Sequence, residues 1–211
     1  MKPKFAVSAI LLLMTASLAQ TGTAQQAEDL YQGTVVTRQE TQDSITYTLK
    51  EDLSFSGFRT EDTVFAGSVF FNQLADYTQP ASESVMTFTG TGMSMSFDDC
   101  SSIHSDRWVN DNEGGGAIRG ETLTFTDMGD LSFNNCKSIV NADTNAGGAV
   151  NARGDITFSH MGNISFTNNM LGDDSQQGQA LGGALFTWGK IDFENTKSIL
   201  FSGNSTGHSP T

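Results

Sequence analysis

The chain has 211 residues, with 24 acidic and 11 basic side chains and a formal net charge of −13 at pH 7. A surface this acidic repels nucleic-acid phosphates and anionic lipid headgroups, so we expect neither nucleic-acid binding nor direct lipid binding. The length suits one domain of ordinary size, and 15 phenylalanines against 3 tyrosines and 2 tryptophans predict an interior built largely from Phe rings.

The N-terminus has the layout of a secretory signal peptide. Lys2 and Lys4 precede an apolar run from Phe5 to Met14, and small and polar residues follow up to about Gln25. The apolar run is shorter than the ~20 residues that span a bilayer, which disfavours a membrane anchor. The sequence therefore predicts a signal peptide over residues 1–24 and export of the mature chain.

Residues 25–80 carry a strand pattern in degraded form. The segment Ile45–Leu49 alternates between apolar and polar residues, Leu53 precedes Phe55 by two positions, and Val69–Phe71 breaks the alternation. We predict an irregular N-terminal cap here, because the terminal unit of a repeat array must cover one end of the stacked core.

One phrase recurs between residues 81 and 205, which predicts a repeat domain over that range. In the phrase an aliphatic residue precedes a Phe by two positions, so both side chains lie on one face of a strand. Each unit carries two such pairs, and successive units are 33 to 37 residues apart. The pairs are Met86/Phe88 and Met95/Phe97, Leu123/Phe125 and Leu131/Phe133, Ile156/Phe158 and Ile164/Phe166, and Ile191/Phe193 and Ile199/Phe201.

A Gly-Gly-Ala phrase accompanies the pairs in three units and stands 10 or 11 residues before the first Phe. An aliphatic residue follows it, so we predict a further strand there, and glycine suits a corner or a close backbone approach. The three copies are Gly115, Gly116, Ala117 and Ile118; Gly147, Gly148, Ala149 and Val150; and Gly182, Gly183, Ala184 and Leu185.

Three short strands in each unit, joined by polar corners, predict an all-β fold. Stacked units would form a right-handed parallel β-helix (solenoid) of about four coils behind the N-terminal cap, with Phe side chains in interior ladders. The stretches 100–114, 136–146 and 170–181 vary in length and composition, so we expect loops there that project from one edge and carry partner contacts. A β-sandwich is the alternative fold, but it does not explain why the Gly-Gly-Ala phrase recurs at a nearly constant distance from the Phe pairs.

A second tetrapeptide, Phe-x-x-Asn, alternates with the Gly-Gly-Ala phrase. It occurs as Phe166–Asn169 and Phe201–Asn204, and Phe97–Cys100 and Phe133–Cys136 are variants that end in Cys. This alternation behind a signal peptide resembles the chlamydial polymorphic outer membrane proteins, the Pmp family, over about residues 85–205.

The resemblance implies an autotransporter passenger, displayed on the outer membrane by a C-terminal β-barrel and acting as an adhesin, antigen and virulence factor. The sequence departs from that pattern because it reaches Thr211 without barrel strands. We therefore expect a truncated passenger with residues 206–211 as its tail, on the extracellular side of the cell outer membrane, or in the periplasm without a barrel. The expected partners are host cell-surface proteins or other passenger proteins, and a second copy bound through the open C-terminal coil.

Cys100 and Cys136 occupy the same position in consecutive units. If one repeat makes one coil, their Cα atoms lie about 5 Å apart, within the range of a disulfide. An exported protein also meets an oxidising compartment. Parallel stacked side chains are nevertheless poorly aimed at each other, so a disulfide and two free thiols are both open alternatives. Two cysteines are too few for a structural zinc site.

Arg153, Gly154 and Asp155 spell the integrin-binding tripeptide, which would suit an adhesin. The segments 119–121 and 188–190 hold Arg-Gly-Glu and Trp-Gly-Lys, which we align with it. In this alignment each unit has a glycine at the same corner between strands, so the glycine has a structural explanation. The tripeptide Arg153–Asp155 is therefore a weak candidate for an adhesion site.

We expect no enzyme activity and no metal or other cofactor. Within residues 81–205 the adjacent acidic pairs are Asp98 with Asp99 and Asp173 with Asp174, and solvated charges explain both. The sequence has no His-Glu-x-x-His motif. The alternative function is a secreted β-helical polysaccharide-cleaving enzyme, which would need a groove that gathers two or more carboxylates with a basic residue.

Overall fold

The computed structural model describes residues 35–61, 69–71, 84–104, 115–140, 144–172 and 179–207. Within these ranges the secondary structure consists of β-strands without a helix, which confirms the predicted all-β class. In the same ranges no helix is long and apolar enough to cross a membrane. The predicted signal peptide lies outside the described residues.

The strands follow the repeat units in order. The first eight are β1 Val36–Glu40, β2 Ser44–Leu49, β3 Leu53–Ser56, β4 Arg59–Glu61, β5 Phe70–Phe71, β6 Val85–Thr89, β7 Met95–Asp98 and β8 Ser101–His104. The next ten are β9 Ile118–Gly120, β10 Thr122–Thr126, β11 Leu131–Asn134, β12 Lys137–Val140, β13 Thr144–Ala146, β14 Val150–Ala152, β15 Ile156–Ser159, β16 Asn163–Thr167, β17 Met170–Leu171 and β18 Gln179–Leu181. The last are β19 Leu185–Thr187, β20 Ile191–Glu194, β21 Ser198–Ser202 and β22 Ser205–Thr206.

Equivalent strands of successive units pair in parallel and form several separate sheets. The first Phe sheet has the order β1-β2-β6-β10-β15-β20, and the second Phe sheet β3-β7-β11-β16-β21. The Ser sheet has the order β4-β8-β12-β17-β22, the Gly sheet β5-β9-β14-β19, and β13 pairs with β18. Among the described strands, β1 differs because it pairs antiparallel with β2.

The Phe rings form two interior ladders, by which we mean rows of equivalent side chains from successive units. In both ladders consecutive rings are 4.8 to 5.3 Å apart between centroids. The sequence predicted both ladders through their common spacing, and the pairing register confirms them. The first ladder is Tyr47, Phe88, Phe125, Phe158 and Phe193, and the second is Phe55, Phe97, Phe133, Phe166 and Phe201.

Part of the predicted cap follows the same pairing as the later units. Tyr47 lies opposite Phe88, and Phe55 lies opposite Phe97, so β2 and β3 extend the two Phe sheets. Within residues 35–61, the departure from the repeat is the antiparallel β1.

The prediction of three strands in each unit is wrong, because the stretches assigned to loops contain β8, β12 and β17 of the Ser sheet and the β13–β18 pair. Thr60, Ser102 and Ser138 lie in register in the Ser sheet and are buried. Small hydroxyl side chains fill this part of the interior, so the strand lacks the alternation of large apolar residues that would mark it in the sequence.

Candidate interaction surface

The first glycine of each Gly-Gly-Ala phrase has a left-handed backbone. The φ angles of Gly115, Gly147 and Gly182 are 96°, 68° and 73°, a region that residues with a side chain rarely adopt. The chain therefore turns into the Gly sheet at the same place in three units.

The second glycine of the phrase is needed for close contact between strands. A Cβ atom on Gly116 would lie 2.5 Å from the carbonyl oxygens of Lys137 and Gly148. A Cβ atom on Gly148 would lie 2.8 Å from the carbonyl of Met170. These neighbours are backbone atoms of adjacent strands, so they cannot rotate away. The phrase therefore depends on the stacking of one unit against the next.

The asparagine that ends Phe-x-x-Asn links each unit to the preceding one. The Asn169 side-chain amide donates to the Phe133 carbonyl at 3.1 Å, and its oxygen accepts from the Cys136 N–H at 2.9 Å. Asn204 repeats this arrangement, donating to the Phe166 carbonyl at 2.8 Å and accepting from the Asn169 N–H at 3.0 Å. Each asparagine thus satisfies two buried or half-buried backbone groups of the neighbouring strand.

The two cysteines take the same place as these asparagines. The Cys100 Sγ lies 3.8 Å from the Phe55 carbonyl oxygen, and the Cys136 Sγ lies 3.7 Å from that of Phe97. Both are buried, free thiols, so of the two alternatives left by the sequence the structure has the thiols and not the disulfide. Each sulfur also lies near a carbonyl oxygen of its own unit, Cys100 at 3.7 Å from that of Asp98 and Cys136 at 3.6 Å from that of Asn134. Burial raises the pKa of the Cys136 thiol, with the Cys100 side chain adding to the shift.

Two residues of the Arg153–Asp155 tripeptide contact other parts of the fold. The Arg153 guanidinium lies 3.7 Å from the Glu121 carboxylate, and an Asp155 carboxylate oxygen accepts from the Lys190 N–H at 2.8 Å. The proposed alignment with residues 119–121 is wrong, because Arg119 lies opposite Asn151 in the Gly sheet. The pairing follows the Gly-Gly-Ala strands, and Arg153 comes after the paired residues.

A buried ionic cluster beside this corner was not predicted from the sequence. Glu121 is fully buried, and neither carboxylate oxygen has a hydrogen-bond partner among the described residues. Burial raises the pKa of the Glu121 carboxyl, and the positive charges of Arg153 and Arg119 lower it in part. A glutamate in a polar stretch of sequence is expected to be exposed to solvent, so the burial of Glu121 could not be predicted from the sequence.

Asp98 and Asp99 accept hydrogen bonds from side chains of the next unit. Asp98 accepts a hydrogen bond from the Asn134 side-chain amide at 2.6 Å, and Asp99 accepts one from Asn135. Among the described residues, no three His, Cys, Asp or Glu side chains are grouped as metal ligands. Asp173 and Asp174 lie outside the described residues.

The C-terminal end of the sheets exposes large apolar side chains. Trp188 is 59% exposed and packs edge to face against Phe186, with 5.3 Å between ring centroids. Leu200 and Phe201 on β21 are 51% and 50% exposed, whereas Phe166 in the preceding strand is buried. Ile199 and Phe201 continue the rows of inward side chains, and Leu200 lies on the opposite face, as the alternation along the strand predicts.

Comparisons of the chain with family models, with curated proteins and with solved structures find no match. No family membership therefore follows from similarity.

Proposed function

We propose that the chain is an exported surface passenger of the Pmp type that acts as an adhesin and antigen through loops at one edge of a right-handed parallel β-helix. The observation that carries the proposal is the role of the two motifs. Gly148 needs a bare Cα against the next strand, and Asn169 bonds to the backbone of the preceding one. The close contact at Gly148 and the hydrogen bonds of Asn169 both arise when successive units stack in parallel. Parallel stacking therefore explains why both tetrapeptides occur in the chain.

The variable segments favour binding at one edge. Residues 105–114, 141–143 and 173–178 all lie between a strand of the Ser sheet and the next strand of the Gly sheet, counting β13 and β18 as part of the connection. The strands that flank these segments are in register in stacked units: Val140 lies opposite His104, and Val150 lies opposite Ile118 and Leu185. Binding residues concentrate on such segments because a rigid scaffold positions them while their own sequence is free to vary. The proposed partner is a host cell-surface protein or another passenger protein.

The test replaces residues 105–114, 141–143 and 173–178 with Gly-Ser segments of equal length and measures binding of the protein to cultured host cells. We expect binding to fall at least about tenfold with an unchanged far-UV circular dichroism spectrum, because the replaced segments carry the contacts. The matched control substitutes Thr124→Ser on an outward position of the first Phe sheet and should bind as the wild type does. Equal binding by the loop variant and the wild type would refute the proposal.

The integrin tripeptide and the export signal are tested separately. Asp155→Glu should leave cell binding unchanged, because an Asp155 carboxylate oxygen is engaged by the Lys190 N–H. Mass spectrometry of the exported protein should find a mature N-terminus near residue 25, with the protein on the outer membrane or in the periplasm. No observation on the described residues favours the polysaccharide-cleaving alternative, since the buried cluster brings one carboxylate to two arginines.

A further inference from the structure

The outward face of the Ser sheet carries apolar side chains in its middle strands. In β8 and β12 the inward residues Ser102 and Ser138 are buried, so the alternation along each strand puts Ile103 and Ile139 on the outward face. The two isoleucines lie opposite each other in the parallel pairing, and both are half-buried. Met170 of the next strand, β17, is half-buried on the same face. We call Ile103, Ile139 and Met170 the Ile face.

The Ile face lies on interior strands of its sheet. β8 pairs with β4 and β12, β12 pairs with β8 and β17, and β17 pairs with β12 and β22. All three strands are therefore paired on both sides. The outward position of these side chains follows from the alternation along paired strands and not from an open edge.

The fold by itself does not require isoleucine on this face. The two Phe sheets carry hydroxyl residues in an outward row of the same units, namely Thr87, Thr124 and Thr157 in the first sheet and Ser96, Ser132 and Ser165 in the second. Threonine is β-branched and suits a strand as isoleucine does, so β-sheet propensity does not explain the choice. Apolar side chains that adjoin one another on a surface with polar surroundings mark a contact with another molecule.

The strands of the Ile face lead into the segments to which the adhesin function is assigned. Residues 105–114 follow β8, residues 141–143 follow β12, and residues 173–178 come shortly after β17. The Ile face is thus continuous in sequence with the proposed binding edge. An apolar centre beside polar segments is the usual composition of a protein–protein interface.

The charge of the chain indicates which kind of partner fits this face. The whole chain has a net charge of −13, so at long range it attracts basic partners and repels acidic ones. Arg59 and Lys137 add positive charge to the outward face of the Ser sheet, but too little to offset this field. The three segments that follow the Ile face are themselves acidic, with Asp106, Asp111, Glu113, Asp143, Asp173 and Asp174 against Arg107.

We propose that the Ile face is the apolar centre of the partner-binding surface and that it takes a basic protein segment with apolar side chains. This inference rests on the proposed function, because it names the partner class for the same edge. Contacts with Ile103 and Ile139 supply the affinity, and the acidic field of the chain speeds the approach of the partner.

The test uses a short fluorescent peptide of alternating lysine and leucine as the probe, and fluorescence anisotropy measures its binding to the full chain. A lysine–serine peptide of equal length and charge measures the electrostatic attraction alone. The double variant Ile103→Thr/Ile139→Thr should bind the lysine–leucine peptide at least about tenfold more weakly, because the apolar contacts are lost. Its binding of the lysine–serine peptide should not change.

The matched control is Val85→Thr, which makes the same kind of change at a half-buried outward position of β6. This variant should bind both peptides as the wild type does. The conservative variant Ile103→Val/Ile139→Val keeps the face apolar and should bind the lysine–leucine peptide nearly as well as the wild type. Circular dichroism should be the same for all these proteins, because the substituted side chains lie outside the core.

Four results would overturn the proposal. They are equal affinity of the wild type for the two lysine peptides, unchanged binding of the lysine–leucine peptide by the Ile103→Thr/Ile139→Thr variant, an equal loss in Val85→Thr, and equal affinity for a glutamate–leucine peptide.

Binding to cultured host cells separates this proposal from the adhesin function. If the Gly-Ser loop variant loses cell binding while the Ile103→Thr/Ile139→Thr variant keeps it, the Ile face is refuted and the adhesin function stands. If the peptide results hold but the loop variant binds cells as the wild type does, the adhesin function is refuted and the Ile face stands as a binding surface for basic, apolar segments.

Discussion

At the scale of the residue, Phe158 shows how the ladders hold the fold together. Its ring lies between those of Phe125 and Phe193, at centroid distances of 5.0 and 4.9 Å, and is fully buried. Phe158→Ala should lower the free energy of unfolding by about 3–5 kcal/mol, because neighbours paired on both sides cannot collapse into the cavity. Urea denaturation measures the loss, and Phe193→Ala at the half-buried end of the same ladder should cost clearly less. Equal losses for the two variants would argue against the ladder as a source of stability.

A second prediction at this scale concerns the pH dependence of Glu121. Its pKa is raised above the ordinary value of 4.5 by burial, so the folded state binds its proton more tightly than the unfolded state does. The stability that Glu121 contributes is therefore greatest at or below about pH 4.5 and falls as pH rises through the folded pKa. Glu121→Gln mimics the protonated form and should remove this fall, leaving the variant at least as stable as the wild type at pH 7.

The test measures the urea midpoints of the wild type and of Glu121→Gln from pH 4 to pH 8 and compares their difference at each pH. Titration of other carboxyls cancels in this difference, including that of Asp130, whose pKa is lowered by hydrogen bonds from Asn163. A variant that is less stable than the wild type at pH 7 would mean that the arginines, rather than burial, dominate the environment of Glu121.

At the scale of the element, the Gly sheet depends on contacts that admit no side chain. Gly148→Ala would place a Cβ atom 2.8 Å from the Met170 carbonyl, so β14 and its neighbours must separate. Overpacking of this kind costs about 1–3 kcal/mol, and backbone neighbours put Gly148 at the upper end. The control is Gly92→Ala, where the added atom meets nothing within 4 Å and only the left-handed backbone is strained. Denaturant midpoints should separate the two variants, and a Gly148 variant as stable as the Gly92 variant would contradict the close approach.

At the scale of the whole molecule, the net charge of −13 opposes the compact state. Repulsion among like charges is screened over about 10 Å at 0.1 M salt and over about 30 Å at 0.01 M. The thermal midpoint of the protein should therefore rise between 0.01 and 0.15 M sodium chloride. The same rise in choline chloride would exclude specific sodium binding. A midpoint that does not change would mean that the surface charges are too dispersed to affect stability.

The sequence by itself determined the all-β class, both Phe ladders and the register of the repeat. It could do so because each of these features depends on a side chain that recurs at a constant spacing, such as Phe125 and Phe133. The sequence predicted a corner or a close backbone approach at glycines such as Gly116, but it did not predict which strand lies against them. A glycine indicates an unusual backbone environment and does not identify the neighbouring strand.

Only the tertiary structure decided the strands of the Ser sheet, the burial of Glu121, the free thiols and the exposure of Leu200. Ser102 and Ser138 are polar residues that fill a narrow part of the interior, so their strand carries no apolar alternation. The Cys136 thiol is buried beside the carbonyl oxygens of Phe97 and Asn134, a burial that depends on how the units stack. Exposure of Leu200 depends on which strands stand beside β21, and that is a property of the packed chain and not of local sequence.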